Sequence, residues 1–246
     1  MSFKLDFTSN SAYFKELLKL IKEFTSTPCL RVANGTSKIT ALDTGNVIVL
    51  HATLLQRQNK LNSFFGGGKP AAAPTAKFDL TFDVEEAIAA LTSEINQSLF
   101  TETTAFIGSK PVKIYPTFTV ELPTPVTAPT CSMQINTNEL YSKTNEMEFR
   151  ATFEANNSEL KITHYDGLDE TLTKTVPITN FTGQPTKSIY SSTYLNCYLK
   201  PLCTLTDTIT LSMAYDNPLI IEANLKLSLG KLTIYQAPII EVGSVN

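Results

Sequence analysis

Four segments of the chain predict helices, and in the first of them apolar side chains recur with helical spacing. The first segment predicts an amphipathic helix over residues 11–24, because five apolar residues follow the i, i+3, i+4, i+7 rule: Phe14, Leu17, Leu18, Ile21 and Phe24. Three later segments predict further helices, over residues 83–95, 136–147 and 191–203. The stretches around them are rich in valine, isoleucine, threonine and aromatic residues, which favours strands.

The same order of residue types occurs twice. Residues 30–43 carry Ala-Asn, then Lys-Ile-Thr, then Asp, and residues 153–166 repeat that order with one more residue at the turn. In the first copy, Asn34-Gly35 predicts a tight turn between two strands. Each copy follows one predicted helix and precedes another. The spacing of about 120 residues exceeds a solenoid period of roughly 20–50, so the repeat indicates a duplicated domain.

Two irregular segments divide the chain. The proline-rich residues 119–130 predict a linker between the halves, and the glycine-rich residues 56–76 predict a loop inserted in the first half. The sequence therefore predicts two similar domains, an N-terminal one over residues 1–118 and a C-terminal one over residues 131–246.

Composition limits the classes of function that the chain can have. The chain has 246 residues, of which 42% are hydrophobic and 17% charged, so two domains can each bury a core. The net charge of -3 means that any contact with nucleic acid needs a local positive face on an acidic body. The sequence has neither a signal peptide nor an apolar run of membrane-spanning length, which predicts a soluble intracellular protein.

Metal and catalytic signatures are missing from the sequence. The four cysteines lack CxxC spacing, which argues against zinc and disulfides and favours free thiols: Cys29, Cys131, Cys197 and Cys203. The only histidines, His51 and His164, have no metal-ligand spacing. Motifs such as GxSxG, HExxH and the phosphate loop are absent. We therefore predict no catalysis, no metal and no cofactor.

The last third of the chain carries the most specific likeness to a known family. Residues 208–213, 216–222 and 230–241 resemble the closing strands of proliferating cell nuclear antigen, and residues 192–200 resemble the helix before them. Residues 1–54 resemble the first domain of that family, including the N-terminal helix, Cys29 and Leu42-Asp43-Thr44-Gly45-Asn46-Val47. The likeness covers most of the chain and is weakest in its middle.

The resemblance implies an α+β fold of two similar DNA-clamp domains, each with two helices packed on antiparallel sheets. Three subunits would form a six-domain ring whose hole is lined by the helices. Such a ring is a processivity factor, a sliding clamp that encircles double-stranded DNA and tethers DNA polymerase and other replication and repair proteins. The resemblance implies a clamp loader as a further partner.

Lysines on the first predicted helix lie nearly opposite its apolar face. By themselves, Lys15, Lys19 and Lys22 fit a solvated face equally well. The resemblance implies that they face DNA phosphates, together with Lys143 and Lys200 on later helices. Such contacts are independent of sequence, sensitive to salt and compatible with sliding.

The predicted helix over residues 83–95 departs from the family. It has no lysine or arginine, and it carries Glu85, Glu86 and Glu94. The hole would be less positive than usual. Three alternatives are open for such a hole: weaker contact with DNA, a different path of the duplex, or a mixed ring with a more basic partner.

Clamps of this family bind partner proteins in a hydrophobic pocket beneath the linker. The positions that match the pocket are Leu42, Asn46, Val47, Val126, Pro218, Tyr235, Gln236, Ala237 and Pro238. The alternative interpretation is that Leu42, Val47 and Pro218 are ordinary core residues. A proline exposes the end of the last strand, which favours the pocket interpretation for residues 235–238.

The usual ligand of that pocket is a peptide called the PIP box, Gln-x-x-aliphatic-x-x-aromatic-aromatic. The chain itself contains this pattern, in Gln58, Leu61, Phe64 and Phe65. One helical turn would gather the apolar three into a plug. The alternative is a strand whose phenylalanines pack on their own domain.

Three functions remain open at this point. The first is a homotrimeric clamp. The second is a clamp-like adaptor that binds another clamp through Gln58–Phe65, and the third is a monomeric processivity factor that holds DNA on one face. The divergence and the insertion would suit a viral clamp. We expect the nucleus of a eukaryote, or the replication compartment of an infected host cell, as the location.

Overall fold

A computed structural model describes residues 2–6, 11–33, 36–45, 47–54, 77–91, 97–117, 128–147, 149–166 and 169–240. The elements of the N-terminal half are β1 (Ser2–Asp6), α1 (Ser11–Lys22), β2 (Cys29–Ala33), β3 (Thr36–Leu42), β4 (Ile48–Leu54), β5 (Phe78–Phe82), α2 (Val84–Ala90), β6 (Gln97–Thr101), β7 (Ala105–Ile107), β8 (Lys110–Val112) and β9 (Ile114–Tyr115).

Among the described residues, the C-terminal half repeats this order, with five strands instead of four between its two helices and three instead of four after the second helix. Its elements are β10 (Cys131–Asn136), α3 (Thr137–Thr144), β11 (Arg150–Ala155), β12 (Glu159–Asp166), β13 (Asp169–Pro177), β14 (Thr179–Gly183), β15 (Thr186–Ser191), α4 (Ser192–Leu205), β16 (Thr208–Met213), β17 (Leu219–Asn224) and β18 (Gly230–Gln236).

The two halves have the same sheet topology. The N-terminal half contains the strand orders β1-β6-β7-β8 and β4-β3-β2-β5, and the C-terminal half contains β10-β16-β17-β18 and β13-β12-β11-β15. Every described strand pair is antiparallel. The predicted α+β fold and its duplication are confirmed, whereas the domain boundaries at residues 118 and 131 stay predictions. The predicted turn at Asn34-Gly35 lies outside the described residues.

One strand pair joins the halves. β4 and β18 form seven antiparallel residue pairs, from Ile48↔Gln236 to Leu54↔Gly230. This ladder merges one four-stranded unit from each half into a ten-stranded sheet, with β14 and β9 at its edges. α1 also packs against α4 across the junction, where the rings of Phe24 and Tyr198 stack with centroids 6.0 Å apart. The buried apolar residues of both halves form one continuous cluster.

The four helices form a row in the order α2, α1, α4, α3. Side chains cap three of them: Asp83 accepts from Glu86 N (3.0 Å), Asn136 from Glu139 N (3.1 Å) and Ser191 from Tyr194 N (3.5 Å). α2 is shorter than the predicted helix over residues 83–95. Leu91 takes extended backbone geometry and is buried, so the chain leaves the helix there to place this side chain in the core. No helix of the described part could cross a membrane.

Gly230 is required where β18 meets β4. Its φ is +151°, and a Cβ at this position would lie 2.0 Å from the carbonyl oxygen of Thr53. We predict that Gly230→Ala lowers the free energy of unfolding by about 2 kcal/mol or more, because the ladder must shift to admit the methyl group. Chemical denaturation measures this, with Thr233→Ala on the same strand as the control. An unchanged midpoint for Gly230→Ala would contradict the close approach.

Candidate functional site

The predicted lysine stripe lies on the solvent side of α1. Lys19 and Lys22 are exposed and Lys15 is half-buried, while the apolar side of the helix is fully buried. Lys200 is exposed on α4, the neighbour of α1, and Lys143 is half-buried on α3. The structure therefore places the five predicted DNA-binding lysines on three helices that follow one another in the row.

Each lysine of α1 has a partner within the protein. Lys15 Nζ donates to the carbonyl oxygen of Leu91, at the end of α2, over 3.2 Å. Lys22 Nζ lies 2.9 Å from Glu85 Oε1 on α2, and Lys19 Nζ lies 2.6 Å from Glu16 Oε1. Both ion pairs are at the surface, where such pairs contribute roughly 0–1 kcal/mol. A phosphate can therefore compete for Lys19 and Lys22.

The helix row is close to neutral. The four helices carry five lysines and four glutamates, and α2 contributes Glu85 and Glu86 without any basic residue. Glu94, the third acidic residue noted in the sequence, lies outside the described residues. The acidic α2 thus offsets much of the positive charge of α1.

The predicted partner pocket lies where four neighbouring strands of the ten-stranded sheet end or begin. Leu42 ends β3, Val47 precedes β4, Tyr235 lies near the end of β18 and Pro218 precedes β17, and these strands are adjacent in the order β17-β18-β4-β3. These residues, together with Ala237 and Pro238, are half-buried. The structure therefore brings six of the nine predicted residues together; Asn46 and Val126 lie outside the described residues.

Gln236 supports the pocket from within and does not line it. The residue is fully buried. Its side-chain oxygen accepts from the hydroxyl of Tyr198 over 2.7 Å, and its side-chain nitrogen donates to the carbonyl oxygen of Ser191 over 2.9 Å. Burial, with the nearby Tyr190 and Cys197 adding to it, raises the pKa of Tyr198 well above its ordinary value. The prediction that Gln236 belongs to the pocket is therefore corrected: the residue is a buried link between β18 and α4.

Asp43 shapes the loop between Leu42 and Val47. Its Oδ1 accepts from the backbone N–H groups of Val47 (2.7 Å) and Ile48 (2.6 Å), and its Oδ2 accepts from that of Gly45 (3.0 Å). The carbonyl oxygen of Val47 in turn accepts from Ala237 N over 2.8 Å. In the sequence, Asp43 stands out only as part of the motif at residues 42–47 that resembles the family. An Asp two residues before a turn glycine, at the end of a strand, is the signal that indicates this role.

A histidine backs Tyr235. The rings of His51 and Tyr235 meet edge to face with centroids 6.0 Å apart, and His51 Nδ1 lies 3.1 Å from Thr40 Oγ1. Burial lowers the pKa of His51 to about 4, and the positive charge of Lys38 adds to the effect. The imidazole is therefore neutral at pH 7 and serves as a packing partner. In the described part of the chain, no group of three His, Cys, Asp or Glu residues could hold a metal, and the four cysteines are free thiols.

A cavity of about 410 Å³ lies next to the pocket. Leu42 belongs to both, and the other lining residues are mostly apolar or threonine: Thr25, Thr27, Cys29, Thr40, Thr81, Tyr115 and Pro116. A larger concavity of about 610 Å³ is polar and contains none of the predicted pocket residues. The cavity therefore extends the pocket from Leu42 toward Tyr115 on β9. The candidate PIP box, Gln58, Leu61, Phe64 and Phe65, lies outside the described residues and stays a prediction.

Solved structures of PCNA clamps are similar to this chain over nearly its whole length. A PCNA2–PCNA3 complex from Sulfolobus tokodaii matches with a TM-score of 0.74 at 15% identity, covering 98% of this chain and 100% of the other. PCNA from Thermococcus kodakaraensis matches with a TM-score of 0.75 at 14% identity, covering 97% and 99%. No protein-family model and no curated protein matches the sequence. The chain therefore has the PCNA clamp fold, as the resemblance predicted.

We predict that His51 makes stability depend on pH. Because its pKa is about 4 in the folded protein and 6.5 is the ordinary value, the unfolded chain binds the proton more readily. The stability contributed by neutral His51 is complete above pH 6.5 and is lost as the pH falls toward 4. Urea midpoints measured across this range should fall less in His51→Gln than in the wild type, while Thr233→Ala, which removes no titratable group, should follow the slope of the wild type. Equal slopes in His51→Gln and wild type would contradict the assignment.

Proposed function

We propose that this chain is a subunit of a DNA sliding clamp, a non-enzymatic processivity factor that holds DNA polymerase and other replication or repair proteins on duplex DNA. The observation that carries the proposal is the internal joint between β4 and β18. In the repeat, β13 occupies the place of β4, and β8 occupies the place of β18. In the described part of the chain, β8 and β13 are both sheet edges. Each molecule thus has two outer edges, β8 and β13, that occupy the same places in the strand order as the two strands that pair within it.

A ring follows if such joints recur between molecules. A joint that adds one domain to the next in a constant geometry generates a closed ring or an open filament. The six-domain ring implied by the resemblance is the closed solution. It would also cover edge strands that otherwise invite aggregation. A clamp loader would then be needed to open the ring around DNA, and the protein would act wherever that DNA is replicated.

The helix row is the surface that suits the duplex. Lys19, Lys22 and Lys200 are exposed on adjacent helices, and lysines that contact phosphates bind DNA independently of its sequence. With four glutamates in the same row, the contact would be weak and easily exchanged, which suits a protein that slides. The pocket around Tyr235 would hold partner proteins by a short peptide.

We predict that Lys19→Ala combined with Lys200→Ala weakens binding to duplex DNA. Each lost phosphate contact lowers the slope of log affinity against log salt by about 1, so the double variant should lose about 2. Fluorescence anisotropy with labelled duplexes of two unrelated sequences measures this. The matched control is Lys187→Ala with Lys231→Ala, which removes two exposed lysines from strands. An equal loss in both double variants would exclude the helix row as the DNA-facing surface.

We also predict that Tyr235→Ala weakens binding of a clamp-binding peptide about tenfold or more, because a half-buried aromatic at the centre of a pocket is a typical binding hot spot. The probe is a fluorescein-labelled peptide with the sequence of residues 58–65, and the assay is anisotropy. A Phe64→Ala/Phe65→Ala background removes the same motif from the chain itself. Tyr165→Ala, a half-buried tyrosine of β12, is the control. Unchanged peptide affinity in Tyr235→Ala would refute the pocket.

A further inference from the structure

The outer edge strand β8 is shorter than β18, its counterpart in the internal joint. The hairpin β7–β8 contains three residue pairs, whereas its counterpart β17–β18 contains six. β18 offers seven residues to β4. β8 consists of only Lys110, Pro111 and Val112. An edge of this length could not form the ladder that joins the halves within the molecule.

Pro111 removes the hydrogen-bond donor that this edge would need. In an antiparallel pair, successive residues of a strand direct their backbone groups alternately toward one neighbour and then the other. Pro111 lies opposite Phe106 of β7, but it has no N–H to donate to it. Its backbone therefore faces away from β7, and Lys110 and Val112 face toward β7. The one residue of β8 that faces the free edge is the proline.

The chain on either side of β8 cannot lengthen this edge. Before it, Gly108 (φ +60°) and Ser109 form a two-residue turn back to β7. After it, the N–H of Lys113 donates to Glu86 Oε2 over 2.6 Å, and its carbonyl oxygen accepts from Asp83 N over 2.8 Å. β9 then follows at once and pairs with β5. Both backbone groups of Lys113 are thus bound by the start of α2.

The other edge, β13, is long. It runs over nine residues and has one strand neighbour, β12, in the described part of the chain. The repeat aligns Val176 of β13 with Leu54 of β4, because their partners Leu160 and Ser37 occupy the same place in β12 and β3. β13 is therefore long enough to pair as its counterpart β4 does with β18. β8, in contrast, is much shorter than its counterpart β18.

From this mismatch we propose that the chain does not close a ring with copies of itself. Its β13 edge pairs instead with a longer edge strand, in the place of β8, on a different clamp-type chain. The proposal rests on the proposed function, since it concerns how a clamp ring containing this chain is built. The near-neutral helix row agrees with it, because a more basic partner would supply the phosphate contacts that α2 lacks.

Sedimentation velocity across a wide range of concentrations tests the first half of the proposal. We expect the wild type to sediment as a 27.1 kDa monomer. Pro111→Thr restores an outward N–H and should lower the concentration needed for self-association about fivefold, since one hydrogen bond contributes about 1 kcal/mol. Lys110→Thr, whose backbone faces β7, is the matched control. A wild-type trimer, or a Pro111→Thr variant that behaves like Lys110→Thr, would overturn the proposal.

A probe chain tests the β13 edge. In this variant the segment 105–112 is replaced by residues 219–236, so that it carries the longer hairpin of the C-terminal half, and circular dichroism checks that it folds. Fluorescently labelled wild type should enter complexes with the probe chain and not with further wild type. A folded probe chain that leaves the wild type monomeric would overturn the role of β13. A wild-type trimer would refute this inference and leave the clamp proposal standing. Failure of the lysine test would instead count against the clamp proposal, on which this inference rests, so the two failures are read from different experiments.

Discussion

The structure depends on the ladder between β4 and β18. Seven backbone pairs join two halves that otherwise have separate sheets, and the junction is also crossed by the packing of α1 on α4. Because the ladder sets the relative position of the halves, it also sets the order of the helices in the row and the place of the pocket. The close approach of Gly230 to Thr53 shows how little space this pairing leaves.

The pocket and the helix row are two consequences of the same junction. Gln236 ends β18 beside the pocket and binds Tyr198 and Ser191 at α4, so the strand end that forms the pocket is tied to a helix of the row. Tyr198 in turn stacks on Phe24 beyond the end of α1. A displacement of β18 would therefore disturb both surfaces. The two hydrogen bonds explain how Gln236 can occupy a fully buried position, because an unpaired amide there would cost free energy of folding.

Duplication supplies two copies of each element, and the copies have diverged where their neighbours differ. β18 is buried between two strands and retains a full-length ladder, whereas β8 is short and carries a proline. In the same way, α2 carries two glutamates and no lysine, whereas its counterpart α4 carries Lys200 and no acidic residue. The two halves thus have the same strand topology, but their edge strands differ in length and their second helices differ in charge. A ring built from such subunits need not have equivalent joints.

The sequence by itself determined the local elements and the repeat. Helical spacing of apolar residues located α1, Asp83 was a readable cap of α2, and the Ala-Asn and Lys-Ile-Thr repeat revealed the duplication. Each of these signals lies in a short stretch of sequence and can be read without knowing what packs against it. The lysine stripe followed from helical spacing, whereas its role in contacting DNA and most of the pocket followed from a resemblance at positions far apart in the chain. Only the tertiary structure decided that Gln236 is buried, that Lys22 meets Glu85, that α2 ends at Leu91, and that Pro111 faces a sheet edge. Each of these depends on which strand or helix lies alongside, and pairing between segments distant in the chain leaves no periodic pattern in either segment alone.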